Sequence, residues 1–128
     1  MRLVWITDAH LNFLTDAQVS LLFARVNGYR PDYVLFGGDI GEAPNLKKYI
    51  KMMGQQITAK TYIVLGNHDY YFGSIEAVDE AVLEYCMVTQ TVEAIYANKR
   101  PTALSDTVGL IGVNCSFGDT RNGNAGTV

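Results

Sequence analysis

Three short runs of almost uninterrupted apolar residues constrain the fold of this chain more than any other feature of its sequence. The runs extend from Leu3 to Thr7, from Tyr33 to Phe36 and from Tyr62 to Leu65. Continuous apolar runs of this length are typical of strands that are covered on both faces, as they are in parallel sheets. We therefore predict three buried strands that belong to one sheet.

The segments between and after these runs have the periodicity of helices. The first begins at a capping Thr15 or Asp16 and ends at Gly28. The second has Pro44 at its first position, and the third begins after Ser74. The apolar residues that recur every three or four positions are Val19, Leu22, Phe23 and Val26, then Leu46, Ile50, Met53 and Ile57, and then Ile75, Val78, Val82 and Cys86. The order strand, helix, strand, helix, strand predicts right-handed βαβ units, and hence an α/β fold with a parallel sheet.

The pattern is weaker after the third helix. Residues Val108 to Val113 predict one more strand. Residues 118–128 are rich in Gly, Asn and Thr, and they predict a loop that no further element follows.

The composition of the chain argues against several classes of protein. Its 128 residues predict one domain, and a net charge of −3 with scattered Lys and Arg does not indicate a nucleic-acid-binding surface. The N-terminal apolar run is too short for a signal peptide, and no run approaches the length of a membrane span, so we expect a cytoplasmic protein without membrane contact. Cys86 and Cys115 form no C-x-x-C motif, and we expect both to be buried, reduced thiols.

Polar side chains capable of binding a metal follow each of the three predicted strands. Asp8 and His10 follow the first strand, Asp39 follows the second after two glycines, and Asn67 and His68 follow the third. The carboxyl ends of parallel strands meet at one edge of a sheet, so these side chains are expected to converge. A mixture of carboxylate, amide and imidazole ligands suits Mn, Fe or Zn better than Ca.

The three clusters together resemble the motifs of the calcineurin-like metallophosphoesterases. The matching residues are Asp8-x-His10, Gly38-Asp39 and Gly66-Asn67-His68-Asp69, and the stretch from Gly112 to Arg121 is similar to a later strand and loop of some members. The resemblance implies the following roles: Asp8 and His10 on one metal, Asp39 bridging two metals, Asn67 on the second metal, His68 facing the substrate, and Asp69 orienting the His68 ring. It further implies a hydrolase in which a water between two divalent ions (Mn, Fe or Zn) attacks the phosphorus of a phosphorylated small molecule or another phosphoester.

The resemblance also implies a larger domain than this chain supplies. Members of the family carry further histidine ligands near their C-terminus, whereas this chain contains only His10 and His68. We therefore interpret residues 1–128 as the N-terminal part of a single αββα sandwich domain. A chain of this kind should bind the first metal weakly, the second hardly at all, and hydrolyse substrates slowly or not at all. It should also expose an apolar patch on the sheet, because half of the sandwich would be missing.

Other interpretations of the same residues remain open at this point. Asp8 and His10 could form a helix cap and a turn, Asp39 could be a turn residue, and His68 could be a packed core histidine. A catalytically inactive member of the same fold that serves as an interaction scaffold is the main alternative function. A nucleotide-binding α/β domain is disfavoured because the chain has neither G-x-G-x-x-G nor a P-loop motif.

Overall fold

Four parallel strands form the central sheet. A computed structural model describes residues 1–98 and 100–114, together with the backbone of residues 118–119 and 124–125. The strands lie in the order β1-β2-β3-β4. Their bounds are Leu3–Ile6 for β1, Tyr33–Gly37 for β2, Lys60–Val64 for β3 and Val92–Ala94 for β4. The predicted α/β fold with a parallel sheet is thereby confirmed.

The sequence pattern missed the beginning of one strand and the whole of another. β3 begins at Lys60 rather than at the predicted Tyr62. β4 contains only three residues, with Glu93 in the middle, so it has no apolar run that could reveal it. Both are stabilised by parallel pairing with a neighbouring strand, since Lys60 pairs with Tyr33 and Val92 pairs with Thr61.

Three helices connect the strands near their predicted positions. They span Asp16–Gly28 (α1), Leu46–Gln56 (α2) and Ile75–Thr89 (α3). Thr15 caps α1 in a reciprocal capping box with Gln18, and the Ser74 side chain caps α3. Pro44 lies in a separate 3₁₀ turn before α2 rather than inside that helix. Among the described residues, no helix has both the length and the apolar character needed to cross a membrane.

The two faces of the sheet are covered to different extents. Val34, Phe36 and Ile63 are buried on the face that packs against all three helices. On the opposite face, Ile95, Leu104 and Leu110 pack over β2 and β3, whereas Trp5 on β1 remains 72% exposed. Apolar surface is therefore exposed on this face at Trp5, and a larger apolar patch stays a prediction. The expectation that the first strand is covered on both faces is wrong, because Leu3 and Trp5 on one face of β1 are exposed.

The structure also corrects the predictions for the C-terminal segment. The predicted strand from Val108 to Val113 is reduced to Gly109–Leu110 (β6), which pairs antiparallel with Thr102–Ala103 (β5). Ile111 and Val113 are 70% and 77% exposed, so they do not continue a buried strand.

A second short pair of strands lies in the segment that was predicted to be a loop. Gly118–Asp119 (β7) pairs antiparallel with Asn124–Ala125 (β8). Strands of two residues depend on backbone hydrogen bonds alone, so they need no apolar pattern in the sequence. Cys86 is buried and free, as predicted, whereas Cys115 lies outside the described residues.

The loops that follow β2 and β3 approach each other so closely that only glycine fits at Gly38. Gly38 has a φ of +98°, and a Cβ atom there would lie 2.7 Å from the backbone nitrogen of Gly66. A left-handed backbone costs about 1–2 kcal/mol for a residue with a side chain, and backbone atoms cannot move aside cheaply.

We therefore expect Gly38→Ala to lower the free energy of unfolding by at least about 2 kcal/mol. Urea unfolding followed by circular dichroism measures this change. Gly28→Ala is the matched control, because a Cβ at Gly28, the last residue of α1, would meet no atom within 4 Å. Comparable losses in the two variants would contradict the close approach of the two loops.

Candidate metal centre

Backbone hydrogen bonds hold the loop after β1 beside the loop after β2. The N–H of Asp8 donates to the carbonyl of Gly38 at 3.0 Å, and the N–H of His10 donates to the carbonyl of Asp39 at 2.9 Å. These bonds continue the parallel pairing of β1 and β2 past the ends of both strands. The two loops therefore share one register, and the polar residues of both lie at the same edge of the sheet.

Three of the predicted metal ligands converge at this edge. Asp8, His10 and Asp39 each offer one donor atom, and these atoms all lie within 4.8 Å of one another. Asp39 is buried, His10 is half-buried and Asp8 is exposed, so the cluster opens to solvent on one side. The distance between His10 Nε2 and Asp39 Oδ2 is 3.8 Å, which exceeds the length of a hydrogen bond. The arrangement therefore offers separated donor atoms that a shared cation could bridge.

The backbone at all three residues adopts the left-handed conformation. The φ angles are 54° at Asp8, 44° at His10 and 51° at Asp39. This region is uncommon for residues with a side chain, although Asp and His visit it more readily than most. Strain of this kind is concentrated at functional sites, where the surrounding structure enforces it. The paired loops enforce the left-handed conformation here, because the backbone hydrogen bonds between them hold both loops in place.

The loop after β3 contributes His68 to the same edge. The imidazole rings of His10 and His68 are 4.9 Å apart and perpendicular, and the ring of Tyr71 lies 4.4 Å from that of His68. The backbone N–H of His68 donates to Asp39 Oδ1 at 3.0 Å. All three predicted clusters therefore meet around the Asp39 carboxylate.

Asn67 lies in the same loop, directly before His68. Its amide nitrogen donates to the hydroxyl of Tyr71 at 3.4 Å. With the nitrogen engaged in this way, the amide oxygen is the atom that would serve as a ligand. The metal-binding role of Asn67 stays a prediction.

Asp69 is fully buried and joins the loops after β2 and β3. Its Oδ1 accepts the backbone N–H groups of Ile40 and Gly41 at 2.8 and 2.9 Å, and its Oδ2 accepts that of Gly66 at 2.9 Å. Burial raises the pKa of Asp69 to about 6, although the three N–H donors oppose this shift. Asp69 is thus bonded to backbone groups of the two loops, and its expected role in orienting the His68 ring stays a prediction.

Thr7 is a site residue that the sequence did not reveal. Its hydroxyl donates to Asp8 Oδ2 at 2.6 Å, which fixes the orientation of that carboxylate. A threonine at the end of an apolar run looks like an ordinary strand residue, so no sequence signal distinguishes it.

The donor set fits a divalent cation. His10 Nδ1 is buried and has no hydrogen-bond partner among residues 1–98 and 100–114, which is costly for a polar atom unless a ligand bond replaces the hydrogen bond. Asp8 and Asp39 place two carboxylates close together, and a cation between them offsets their repulsion. One imidazole with two carboxylates is a ligand set typical of Mn, Fe or Zn.

Comparisons with known proteins agree with this geometry. A sequence model of the calcineurin-like phosphoesterases matches residues 1–121. A protein of Campylobacter jejuni named an uncharacterized metallophosphoesterase is 35% identical over 83 residues. That alignment covers 62% of this chain and 22% of the relative, so the chain corresponds to a minor part of the relative's length.

Fold and site together define an α/β protein with a candidate metal centre at the carboxyl edge of a parallel sheet. The match over residues 1–121 is more specific: the chain belongs to the calcineurin-like phosphoesterase family. The family resemblance inferred from the three motifs is thereby confirmed.

The role of Asp69 can be tested by replacing its carboxylate with an amide. In Asp69→Asn, the amide oxygen can still accept from Ile40 and Gly41, but the amide nitrogen would face the N–H of Gly66, so two donors would oppose each other. We expect the free energy of unfolding to fall by about 2 kcal/mol. Urea unfolding at pH 8 measures this, since the carboxylate is ionised above its pKa of about 6.

Asp32→Asn is the matched control for this variant. Asp32 is exposed and accepts the backbone N–H of Arg2, so solvent can replace the lost interaction. Its substitution should change the unfolding free energy by less than about 0.5 kcal/mol. If Asp69→Asn were as stable as Asp32→Asn, the linking role of Asp69 would be wrong.

Proposed function

We propose that this chain forms part of a metal-dependent phosphoester hydrolase with a centre for two divalent ions. The observation that carries the proposal is the convergence of Asp8, His10 and Asp39 at one sheet edge, with the His68 ring 4.9 Å from that of His10. Membership of the calcineurin-like phosphoesterase family supports the same reaction class.

Asp8, His10 and Asp39 would hold the first ion, and Asp39 with Asn67 would contribute to the second. Mn, Fe and Zn suit this donor set. When bound, such ions stabilise charge on the phosphoryl oxygens and make a water more acidic. The chain's own part is to keep the ligands in place, which the hydrogen bonds from Thr7 and His68 to the two carboxylates support.

His68 is the proposed catalytic residue. Its ring lies against Tyr71 on one side and meets the edge of His10 on another, which restricts its orientation. A half-buried imidazole next to a metal centre can stabilise charge on the phosphate or donate a proton to the leaving oxygen. The substrate is a phosphorylated small molecule or another phosphoester.

An interaction scaffold is a second candidate, and the exposed sheet face supports it. Trp5, Ile111 and Val113 are each at least 70% exposed. Exposed apolar surface of this kind often marks a contact with another protein. The two candidates differ in metal binding and in turnover, which the next two experiments measure.

The first experiment is a Mn²⁺ titration by calorimetry. We expect the wild-type chain to bind one Mn²⁺ weakly, because the first site has three protein ligands on this chain and the second has two. His10→Ala should weaken this binding at least about 10-fold, because it removes a direct ligand. His68→Ala is the control and should leave the affinity unchanged. A wild-type chain that takes up no Mn²⁺ would favour the scaffold.

The second experiment measures hydrolysis of an aryl phosphate with saturating Mn²⁺. His68→Ala should lower kcat by about 100-fold, the typical contribution of a general acid, while Mn²⁺ affinity stays at the wild-type value. Asn98→Ala is the control, since Asn98 is exposed and its hydrogen bonds to Glu93 and Thr102 lie outside the site. Equal rates for wild type and His68→Ala would remove His68 from the mechanism.

A further inference from the structure

Asn114 connects the end of the described segment 100–114 to the loop after β3. Its Oδ1 accepts the backbone N–H of Leu65 at 2.7 Å, and its Nδ2 donates to the hydroxyl of Tyr70 at 2.7 Å. These contacts bridge 49 and 44 positions of the sequence. One side chain from a distant segment therefore contacts this loop at two points.

The two contacts lie on either side of the residues that carry the proposed chemistry. Leu65 directly follows β3, and Tyr70 ends the 3₁₀ turn His68–Tyr70. Residues 66–69, which include Asn67 and His68, lie between them. Fixing both ends of so short a loop restricts the positions that the residues between them can adopt.

The Tyr70 end of the loop is itself held by helix α3. The Tyr70 hydroxyl donates to Asp79 Oδ1 at 2.6 Å, and the Tyr70 side chain is only 1% exposed. The Nδ2 of Asn114 also lies 3.4 Å from the same Asp79 oxygen. Asn114, Tyr70 and Asp79 thus form a hydrogen-bonded group that ties the loop to a rigid helix.

The loop in turn holds the central carboxylate of the candidate metal centre. The backbone N–H of His68 donates to Asp39 Oδ1 at 3.0 Å, and the Asp39 carboxylate contacts Gly66 so closely that no side chain would fit there. A displacement of residues 66–69 would therefore move the carboxylate that Asp8 and His10 face.

We propose that Asn114 is a positioning residue for the metal centre, acting by clamping both ends of loop 66–69. The clamp touches neither the metal ligands nor a substrate, so its effect passes through Leu65 and Tyr70. The expected effect of Asn114 on metal binding rests on the proposed function. Its effect on loop 66–69 does not depend on that function.

Amide hydrogen exchange on the metal-free chain tests the clamp directly. In Asn114→Ala, we expect peptides covering residues 65–71 to exchange at least about 10-fold faster than in wild type, because both anchoring hydrogen bonds are lost. Peptides from α1 should be unchanged. Unchanged exchange at residues 65–71, or a uniform increase along the whole chain, would overturn the proposal.

Asn98→Ala is the matched control, and Tyr70→Phe is a milder second variant. Asn98 is exposed and donates to Glu93 and Thr102, so its removal costs two side-chain hydrogen bonds away from the loop. In Asn98→Ala, peptides covering residues 65–71 should exchange at the wild-type rate. Tyr70→Phe leaves the Leu65 contact intact and should loosen the loop less than Asn114→Ala. If Asn114→Ala fails to fold, Tyr70→Phe tests the clamp in its place. Exchange at the wild-type rate in peptides 65–71 of Tyr70→Phe would then overturn the proposal.

A Mn²⁺ titration of the same variants tests the consequence for the site. Asn114→Ala should raise the Mn²⁺ dissociation constant by about 10-fold, the usual effect of losing support for a ligand, whereas Asn98→Ala should not change it. An unchanged constant would refute the positioning role. If wild type binds no Mn²⁺, the proposed function and the positioning role both fail, while the exchange data still decide whether Asn114 holds the loop.

Discussion

The hydrogen bonds of the buried Asp69 carboxylate hold the loops of the candidate metal centre together. The carboxylate lies in the loop after β3, and it accepts two backbone N–H groups from the loop after β2 and one from its own loop. A sheet aligns strands but does not align the loops beyond them, because those residues have left the ladder. Asp69 supplies the missing alignment between two of the three loops, and backbone bonds from Asp8 and His10 supply it for the third.

A rigid support also explains how the chain tolerates an unfavourable backbone at the candidate metal centre. Three residues in left-handed conformations cost free energy, as do two carboxylates placed near each other. The helix-covered face of the sheet offsets these costs, because it buries the large side chains of one continuous core. Three left-handed residues and two neighbouring carboxylates thus lie together at one edge of the sheet, while packing of the core stabilises the fold that holds them.

The opposite sheet face differs from the helix-covered face in a way that follows from topology. Sequential right-handed crossovers in the order β1-β2-β3-β4 place every connecting helix on the same side. On the other side, among the residues that the structure describes, Ile95, Leu104 and Leu110 cover β2 and β3, and Trp5 is exposed. The topology thus determines which face of the sheet the helices cover.

From the sequence alone we could predict the α/β class, the order of the first three strands and helices, and the candidate ligands Asp8, His10 and Asp39. All of these depend on local patterns: apolar periodicity, capping residues, and polar residues directly after strands. The hydrogen-bond partners of Asp69, Thr7 and Asn114, and the short strand β4, became evident only in the folded structure. Hydrogen bonds such as the one between Leu65 and Asn114 join residues 49 positions apart, and an Asp or Asn that accepts a distant backbone N–H looks in the sequence like any surface residue.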